Sequence, residues 1–304
     1  MIKHSYLGSK KAKVELPLHL MLIPGVIVTL IYAYGPIFGI VMAFQKFQPA
    51  SGFFHSKFVG WRNFEYIFNL PDFTQVIWNT FFIAVMKISL GLAIPLLLAL
   101  LLNEIVRGWF QRIVQTSIFM PFFLSWAVLG GVMIEVFSLN GPVNSIISGL
   151  GLEPIMFMAK NNWFVSIIIG SDVWKGMGYN MIIFLAAIVG INASLYEAAE
   201  VDGAGRWKQM LNITLPGMAP IIILLCTLSL GSVLNAGFDQ ILVLYNPVVY
   251  ESSDIIDTFV YRLGLFDQQY APAAAVGLFK SVISVAMVSI SYYLAYRFSK
   301  YRIF

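Results

Sequence analysis

Six long apolar runs constrain this chain more than any other feature, because each is close to the length that crosses a lipid bilayer. The hydrocarbon core of a bilayer is about 30 Å thick, so a helix needs roughly 20 apolar residues to cross it. The runs are Leu18–Phe44, Val76–Leu102, Gln115–Phe137, Phe164–Ile191, Gly217–Leu234 and Ala273–Arg297. The sequence therefore predicts an all-α polytopic membrane protein with about six transmembrane helices.

The charge content of the chain excludes several classes of protein. Charged residues make up 11% of the 304 residues and hydrophobic residues 59%, whereas a soluble domain carries about 25% charged residues. The net charge of +4 comes from basic residues that do not form one patch, so no nucleic-acid partner is expected. The single cysteine, Cys226, lies inside an apolar run. Since it has no partner for a disulfide or a metal site, we expect a packing role and predict no metal site.

Lysine and arginine are unevenly distributed between the connecting segments, and this distribution predicts the orientation. Cytoplasmic segments of membrane proteins are enriched in these residues. With the N-terminus in the cytoplasm, the inner segments hold eleven of them: Lys3, Lys10, Lys11, Lys13, Arg107, Arg112, Arg206, Lys208, Arg297, Lys300 and Arg302. The outer loops then hold five: Lys46, Lys57, Arg62, Lys160 and Arg262. We therefore expect both termini in the cytoplasm.

The predicted spans divide the chain into four parts. Residues 1–17 are a cytoplasmic tail, residues 18–75 the first transmembrane helix and an outer loop, residues 76–297 the transmembrane core, and residues 298–304 a second cytoplasmic tail. The first apolar run continues to about Phe44 without a small-residue cleavage site, so we expect a retained span rather than a signal peptide. The long outer loops, about Gln45–Gln75 and Tyr245–Pro272, are rich in aromatic residues, which is typical of an interfacial belt and also of a docking surface.

The longest polar interruption in the second half of the chain is EAAEVDGAGRWKQMLNITLP, from Glu197 to Pro216. Ser194 and Glu197 have the spacing of a capping box, with Ser194 as the N-cap, and predict a short helix through Val201. Asp202-Gly203 is expected to end this helix, because glycine readily adopts the left-handed conformation found at helix C-termini.

A second short helix is expected from Ala204 to about Asn212, ended by Thr214-Leu215-Pro216. Two short helices joined by a glycine elbow suit docking into the groove of a partner protein. An amphipathic helix lying in the membrane interface would have the same pattern. Physical chemistry alone leaves these two interpretations open.

The same segment resembles the EAA loop of permease subunits of binding-protein-dependent ABC importers. That pattern is E-A-A, three residues, G, nine residues, I, one residue, L-P, and every fixed position has its counterpart between Glu197 and Pro216. The resemblance implies a cytoplasmic loop, between spans four and five, that docks into a cleft of an ATPase and transmits its closure to the spans. The candidate coupling residues are Glu197, Ala198, Ala199, Asp202, Gly203, Arg206, Trp207, Ile213, Leu215 and Pro216.

The resemblance extends over nearly the whole chain and is strongest to the oligosaccharide and polysaccharide branch of these permeases. It is carried by PLHLMLIPGVIVTLIYAYGPIFGIVMAFQKFQP, LLALLLNE, FDQILVLYNPVVYESSDIIDTFVYRLGL and AAAVGLFKSVIS. It implies a type I importer of the cytoplasmic (inner) membrane, surrounded by lipid, that moves an oligosaccharide such as a pectin- or alginate-type glycan. The implied partners are a second homologous permease, two cytoplasmic ATPase subunits and an extracytoplasmic sugar-binding protein.

The chain contains no G-x-x-x-x-G-K-[ST] motif, the phosphate-binding loop of many ATPases. We therefore expect it not to be an enzyme. ATP and Mg²⁺ are expected on the partner ATPase, and no cofactor is expected on this chain.

Charged and polar residues inside or near the ends of the spans are candidates for a substrate path, because such residues are costly at bilayer depth. The candidates are Lys87, Glu135, Asp172, Trp174, Lys175, Tyr179, Asn180, Asn235, Asp239 and Lys280. Structural roles are also open: Lys175 has the spacing of an i,i+3 ion pair with Asp172. Lys280 could snorkel to the interface or pair with Glu135 or Asp239.

Lys87 has no obvious partner nearby in the sequence, and Trp174 is most simply explained by packing between helices. Three lysines within spans suggest a cavity that favours anionic glycans such as uronate oligomers, whose carboxylates would offset their charge.

Two alternative functions fit the sequence less well. A secondary sugar transporter would often show an inverted repeat, and none is clear here. A membrane enzyme acting on lipid-linked sugar would need clustered acid, base or nucleophilic residues, and the three histidines are scattered.

Overall fold

The computed structural model describes Pro17 and residues 19–105, 108–231 and 233–299. The predicted tails at 1–17 and 298–304 therefore lie almost entirely outside the described residues. Within the described part, five helices are long and apolar enough to cross a membrane, or six when a bent pair is counted as one span. These spans are His19–Phe44, Phe73–Asn103, Gly108–Phe123 with Trp126–Val136, Asn161–Val189, Arg206–Gly231 and Tyr270–Tyr293. The predicted all-α polytopic fold is confirmed.

The chain divides into two compact units, of which the first comprises residues 1–67 and 263–278. Its first span changes hydrogen-bonding pattern twice, through a π-helical turn at Leu30–Tyr34 and a 3-10 helix at Gly35–Phe44. Pro36 follows Gly35 at this transition and lacks the N–H that a regular α-helix would use. A short antiparallel hairpin pairs Gln45–Lys46 with Lys57–Phe58. The helices Gly52–His55 and Arg62–Phe68 flank its second strand.

The second unit, residues 68–262 and 279–304, holds most of the spans. Its second span, Phe73–Asn103, and its fourth span, Asn161–Val189, both contribute to two buried apolar clusters. Alanines at positions such as Ala84 and Ala99 are buried in these clusters. Small residues let membrane helices approach closely, which is how helices associate without a hydrophobic driving force between them.

The third span differs from its predicted form, a single helix from Gln115 to Phe137. It begins at Gly108 and is bent by 103° between Phe123 and Trp126. The bend follows Pro121, which lies in the 3-10 helix Met120–Phe123 and cannot donate a backbone hydrogen bond. Ser125 then caps the next helix, since its side chain accepts a hydrogen bond from Val128 N at 3.3 Å.

The fifth span also corrects the prediction at both ends. Its helix starts at Arg206 rather than Gly217, and Pro216 does not end a separate short helix. A π-helical turn at Met210–Thr214 precedes this proline, and such a wider turn accommodates a residue that cannot complete the regular hydrogen-bond ladder. The described helix ends at Gly231, before the predicted limit at Leu234.

The remaining elements are short helices and turns between the spans. They are Pro142–Gly149, Ala193–Val201, Phe238–Leu244, the 3-10 helix Pro247–Val249, Tyr250–Ser253, Ile256–Tyr261 and the π-helical turn Arg262–Phe266. The last helix runs from Tyr270 to Ser299. Asn79 of the second span donates to the carbonyls of Glu251 (2.9 Å) and Asp254 (3.2 Å), so the segment after the fifth span is tied to the second.

Candidate functional site

The chain leaves helical conformation after the fifth span and forms an irregular break at residues 233–237. Gly237 has a φ of +98°, a left-handed conformation that glycine adopts at little cost, and the helix Phe238–Leu244 follows it. Irregular backbone within a membrane protein needs partners from neighbouring protein or water, because lipid offers none. The contacts of this break therefore identify the residues that hold it.

Lys87 of the second span is the main partner of the break. Its Nζ donates to the carbonyl oxygen of Ala236 at 2.7 Å and to the side-chain oxygen of Gln240, and lies 3.5 Å from Asp172 Oδ1. The Lys87 side chain is 8% exposed. Gln240 donates in turn to Ile168 O and Ser171 Oγ, both at 2.8 Å. Lys87 thus has partners on the fourth span and on the helix Phe238–Leu244, both of which are distant from it in the sequence.

Lys280 of the sixth span holds the same break from another side. It donates to Asn235 Oδ1 at 2.9 Å and to Asp257 Oδ1 at 2.6 Å. Of the roles left open for Lys280, a pairing with Glu135 or Asp239 is not found among the described residues, and Asp257 is the carboxylate that it contacts. Asp257 belongs to the helix Ile256–Tyr261, whose sequence carries no sign of this contact.

A cavity of about 200 Å³ lies beside these contacts. Four of the ten substrate-path candidates, Lys87, Asp172, Asn180 and Asn235, are among the residues that line it. Asn180 of the fourth span donates to the carbonyl of Gly91 in the second span at 3.0 Å. Amides and a lysine–carboxylate pair can donate and accept hydrogen bonds, which is what binding a sugar hydroxyl requires.

The other candidates on the fourth span contact the bent third span instead. Lys175 donates to the carbonyl of Phe122 at 3.0 Å, whereas Asp172 lies near Lys87, so the i,i+3 pair that the sequence left open is not formed in the described residues. The carbonyl of Phe122 is free for this contact because the chain bends just after it. Tyr179 stacks on the ring of Phe122 with 5.0 Å between centroids. Trp174 lines a separate, mainly apolar cavity of about 310 Å³.

A second candidate site is the segment from 192 to 216, which contains the coupling pattern. Its first helix, Ala193–Val201, begins one residue after Asn192, whose side chain accepts from Ser194 N at 3.0 Å. Asn192, and not Ser194, is therefore the N-cap. An asparagine in this position serves as well as a serine, and it satisfies the orphan N–H directly.

The expected end of this helix is confirmed. Asp202 is its C-cap, and Gly203 has a φ of +72°. The N–H of Ala204 donates to the carbonyl of Ala199 at 2.8 Å, and the N–H of Gly203 to that of Glu200 at 3.0 Å. These two bonds form a Schellman motif, which needs a left-handed residue at the glycine position.

Most of the candidate coupling residues are accessible on this segment. Apolar side chains are exposed, with Val201 88% and Trp207 71% accessible. Ala199, Ile213 and Leu215 are half-buried, and the other candidates are exposed. Tyr196 and Thr214 join the two halves through a hydroxyl–hydroxyl contact of 2.9 Å. The segment therefore combines an ordered backbone with apolar side chains that the described residues do not cover.

The segment after the break contains another buried ion pair, which sequence analysis missed. Asp254 accepts from Thr258 Oγ1 at 2.6 Å and from the guanidinium of Arg262. Burial raises the pKa of the Asp254 carboxyl above its ordinary value, against the opposing effects of Thr258 and Arg262. Arg262 also lies over the rings of Tyr250 and Phe259, so this pair fixes the loop rather than offering a free charge.

Comparison with known proteins identifies the family. Residues 91–300 match the model of the binding-protein-dependent transport system inner membrane component. Protein LplB of Bacillus subtilis (strain 168) is 38% identical over 94% of this chain and 91% of its own length. The polygalacturonan/rhamnogalacturonan transport system permease protein YteP of the same organism is 37% identical over 93% of this chain and 88% of its own length.

Solved structures agree with the sequence relatives. A chain from the crystal structure of a bacterial ABC transporter involved in the import of the acidic polysaccharide alginate is 36% identical, with a TM-score of 0.88 over 95% of this chain and 98% of that one. A chain of a bacterial alginate ABC transporter in complex with alginate pentasaccharide-bound periplasmic protein is also 36% identical, with a TM-score of 0.88 over 97% of this chain and 99% of that one. The chain therefore belongs to the binding-protein-dependent transport system inner membrane component family and is a multi-pass permease of the inner membrane.

Proposed function

We propose that this chain is the transmembrane permease subunit of an ATP-driven importer that brings uronate-rich oligosaccharides into the cytoplasm. The observation that carries the proposal is its near-complete structural match to a chain of the alginate transporter. The polygalacturonan/rhamnogalacturonan permease adds a second relative whose substrate is an acidic glycan. Both glycans carry carboxylates on their sugar rings, which makes acidity the chemistry that the two relatives share.

The chain works as one part of a larger assembly. A second homologous permease completes the membrane-spanning part, and two cytoplasmic ATPase subunits bind and hydrolyse ATP with Mg²⁺. An extracytoplasmic binding protein delivers the oligosaccharide, and the alginate transporter has been solved with such a periplasmic protein bound. Since this chain has no phosphate-binding loop, the chemical step takes place on its partners and the chain itself is not an enzyme.

The segment from 194 to 216 is the part of this chain that receives the ATPase movement, and it faces the cytoplasm. Support comes from the exposed Val201 and Trp207, which offer apolar area to a partner groove. The second half of the segment is continuous with the fifth span, because one helix runs from Arg206 to Gly231. A displacement of the docked segment is therefore passed along a helix into the membrane.

The cavity beside the break after the fifth span belongs to the sugar path. The fifth span carries the coupling segment at one end and leads to the break at the other, so movement of that span changes the cavity lined by Lys87, Asp172, Asn180 and Asn235. ATP binding on the partner subunits supplies the energy difference between the inward-facing and outward-facing states. This is alternating access, with the ATPase cycle selecting which side of the cavity is open.

The lysines of this region are already neutralised, which limits their role in attracting an anion. Lys87 lies 3.5 Å from Asp172 and Lys280 lies 2.6 Å from Asp257. A lysine that has an aspartate partner presents little net charge to a uronate carboxylate. The cavity therefore suits the hydroxyl groups of a sugar. The preference for acidic glycans must then be determined elsewhere in the assembly.

The test is uptake into proteoliposomes that contain the whole importer, with its binding protein outside and ATP inside. Radiolabelled tetragalacturonate and tetramannuronate are compared with cellotetraose, a neutral oligosaccharide of the same length. The proposal expects ATP-dependent uptake of at least one uronate and at least tenfold slower uptake of the neutral oligosaccharide. Preferred uptake of the neutral sugar, or uptake that persists without ATP, would contradict it.

A further inference from the structure

A cavity of about 260 Å³ opens in the first unit, in the outer loop that follows the first span. Its lining is unlike that of the two cavities described above, since it combines two cations, two amides and a tyrosine. The lining residues are Lys46, Val59, Arg62, Asn63, Tyr66, Gln269 and Pro272. Its size lies just below the lower end of small-molecule pockets, about 300 Å³.

The helix and the hairpin that line this cavity are joined by hydrogen bonds. The amide nitrogen of Asn63 donates to the carbonyls of Ala43 (2.8 Å) and Gln45 (2.9 Å), which fixes the helix Arg62–Phe68 against the hairpin. Gln45 donates across the loop to Phe53 O at 2.9 Å. The cation-bearing residues thus stand on two elements that are joined by hydrogen bonds, and the cavity does not depend on a loose loop.

The charges of this cavity are not balanced. Lys46 lies directly opposite Lys57 in the antiparallel hairpin, an arrangement in which like charges repel. Arg62, on the helix that follows the hairpin, adds a third positive charge to this region. Within the described residues, neither Lys46 nor Arg62 has an acidic partner within 4.0 Å.

The cations of the second unit differ from Lys46 and Arg62 because they have acidic partners. There, Lys87, Lys280 and Arg262 each have an aspartate partner supplied by the chain itself. Cations that are clustered without such a partner carry a repulsive cost, which a bound anion relieves. Among the described residues, the outer-loop cavity is therefore lined by two cations without an aspartate partner, whereas Lys87 and Lys280 beside the break each have one.

A strained backbone position lies next to the cavity. Gln268 has a φ of +55°, and it is the one residue other than glycine with a positive φ in the described part of the chain. This conformation is uncommon for glutamine and costs free energy. Its neighbour Gln269 lines the cavity, and the N–H of Gln269 donates to Leu263 O at 2.9 Å. The strain is thus found where the chain turns to present an amide to the cavity.

From these observations we infer that the outer-loop cavity binds one uronate unit of the oligosaccharide, with Lys46 and Arg62 facing its carboxylate. Tyr66, which is 43% exposed, offers a ring face and a hydroxyl to the sugar. Gln269 offers an amide that can donate to or accept from the sugar hydroxyls. This inference rests on the proposed function and assigns the preference for acidic glycans to this cavity instead of to the span lysines.

The experiment uses the assembled importer in nanodiscs and two measurements. The first is the concentration of tetragalacturonate-loaded binding protein that gives half-maximal ATPase stimulation. The second is the affinity of the unloaded binding protein for the importer. The variants are Lys46→Gln with Arg62→Gln, the charge-preserving Lys46→Arg with Arg62→Lys, and Lys57→Gln, which removes a charge from the same hairpin outside the cavity lining.

We expect the Lys46→Gln/Arg62→Gln variant to raise the half-maximal concentration about tenfold and to leave the affinity of the unloaded binding protein within twofold. The charge-preserving variant should recover most of this loss, and Lys57→Gln should cause less than a twofold change. Equal recovery of assembled importer from all variants establishes that they fold.

Three results would overturn the inference. An unchanged half-maximal concentration in Lys46→Gln/Arg62→Gln means that the cavity does not hold the sugar. An equal loss of affinity for the unloaded protein means that the cations bind acidic side chains of that protein. An equal effect of Lys57→Gln means that a diffuse positive field acts in place of a site. If no uronate stimulates even the wild-type importer, the proposed function itself fails.

Discussion

At the scale of single residues, the charges inside the spans serve the structure of the protein first. Lys87 satisfies the carbonyl of Ala236 and the side chain of Gln240, and lies near Asp172. An ammonium removed from water is costly unless other groups compensate it. The three partners provide that compensation, and in return the lysine stabilises backbone that has left helical conformation.

Replacing Lys87 with methionine should therefore destabilise the permease. The substitution leaves the carbonyl of Ala236 and the carboxylate of Asp172 without their cation, which we expect to cost about 2–3 kcal/mol, since Asp172 is partly solvated. Thermal unfolding of the purified importer should show a Tm lower by about 5 °C or more. Transport of charged glycans by the Lys87→Met variant should also decrease.

Lys175→Met is the matched control, because it makes the same change on a lysine that donates to one carbonyl and lies over the rings of Phe122 and Trp126, with no carboxylate partner among the described residues. Its Tm should fall by less than half as much. Adding Asp172→Asn to Lys87→Met removes the uncompensated carboxylate and should restore part of the loss. Equal Tm values for Lys87→Met, Lys175→Met and the wild type would show that the Lys87 contacts have little structural value.

At the scale of elements, the segment from 192 to 216 depends on one glycine. The Schellman motif at Gly203 turns the chain between the helix Ala193–Val201 and the helix that becomes the fifth span. A Cβ placed on Gly203 meets no atom within 4 Å, so space is not the constraint. Its φ of +72° is the constraint, because a left-handed conformation costs other residues roughly 1–2 kcal/mol.

Two substitutions at Gly203 separate conformation from bulk. Gly203→Val should uncouple the permease from its ATPase, because a β-branched residue strongly disfavours a positive φ. Gly203→Asn should retain most activity, since asparagine tolerates the left-handed region. Co-purification of the ATPase and ATP-dependent uptake are the measurements, with membrane insertion as the control. Equal activity of the two variants would refute a conformational role for this glycine.

At the scale of the whole molecule, the number of membrane crossings between two segments decides whether they face the same side of the membrane. The cation-lined cavity belongs to the loop after the first span, and the coupling segment belongs to the connection between the fourth and fifth spans. An odd number of spans separates them when the bent pair counts as one crossing. The assignment of the third span as a crossing therefore decides the topology.

Cysteine labelling tests this arrangement directly. Cys226 is the single native cysteine, so a Cys226→Ser background allows one new thiol at a time. Phe54 is 97% exposed in the loop after the first span, and Trp207 is 71% exposed in the coupling segment. A membrane-impermeant maleimide should label Phe54→Cys from outside spheroplasts and Trp207→Cys only in inverted vesicles. Labelling of both from the same side would mean that the bent third span is re-entrant.

Features contained in one stretch of sequence could be predicted without the structure. The spans follow from the length of each apolar run, and five of the six need little adjustment other than at their ends. The turn at Gly203 follows from neighbouring residues whose hydrogen bonds are local. The family resemblance rests on a pattern within twenty residues, and it led to the family that the comparisons identify.

The pairing of charges was decided by the tertiary structure alone. Lys87 meets Asp172 and Gln240, and Lys280 meets Asp257, across elements that are distant in sequence. The cavity at Lys46 and Arg62 is completed by Gln269 from the far end of the chain. Apolar length is a property of each segment, and so the sequence by itself determined the spans. Charge compensation is a property of contacts between segments, and it therefore became visible only when the helices were packed together.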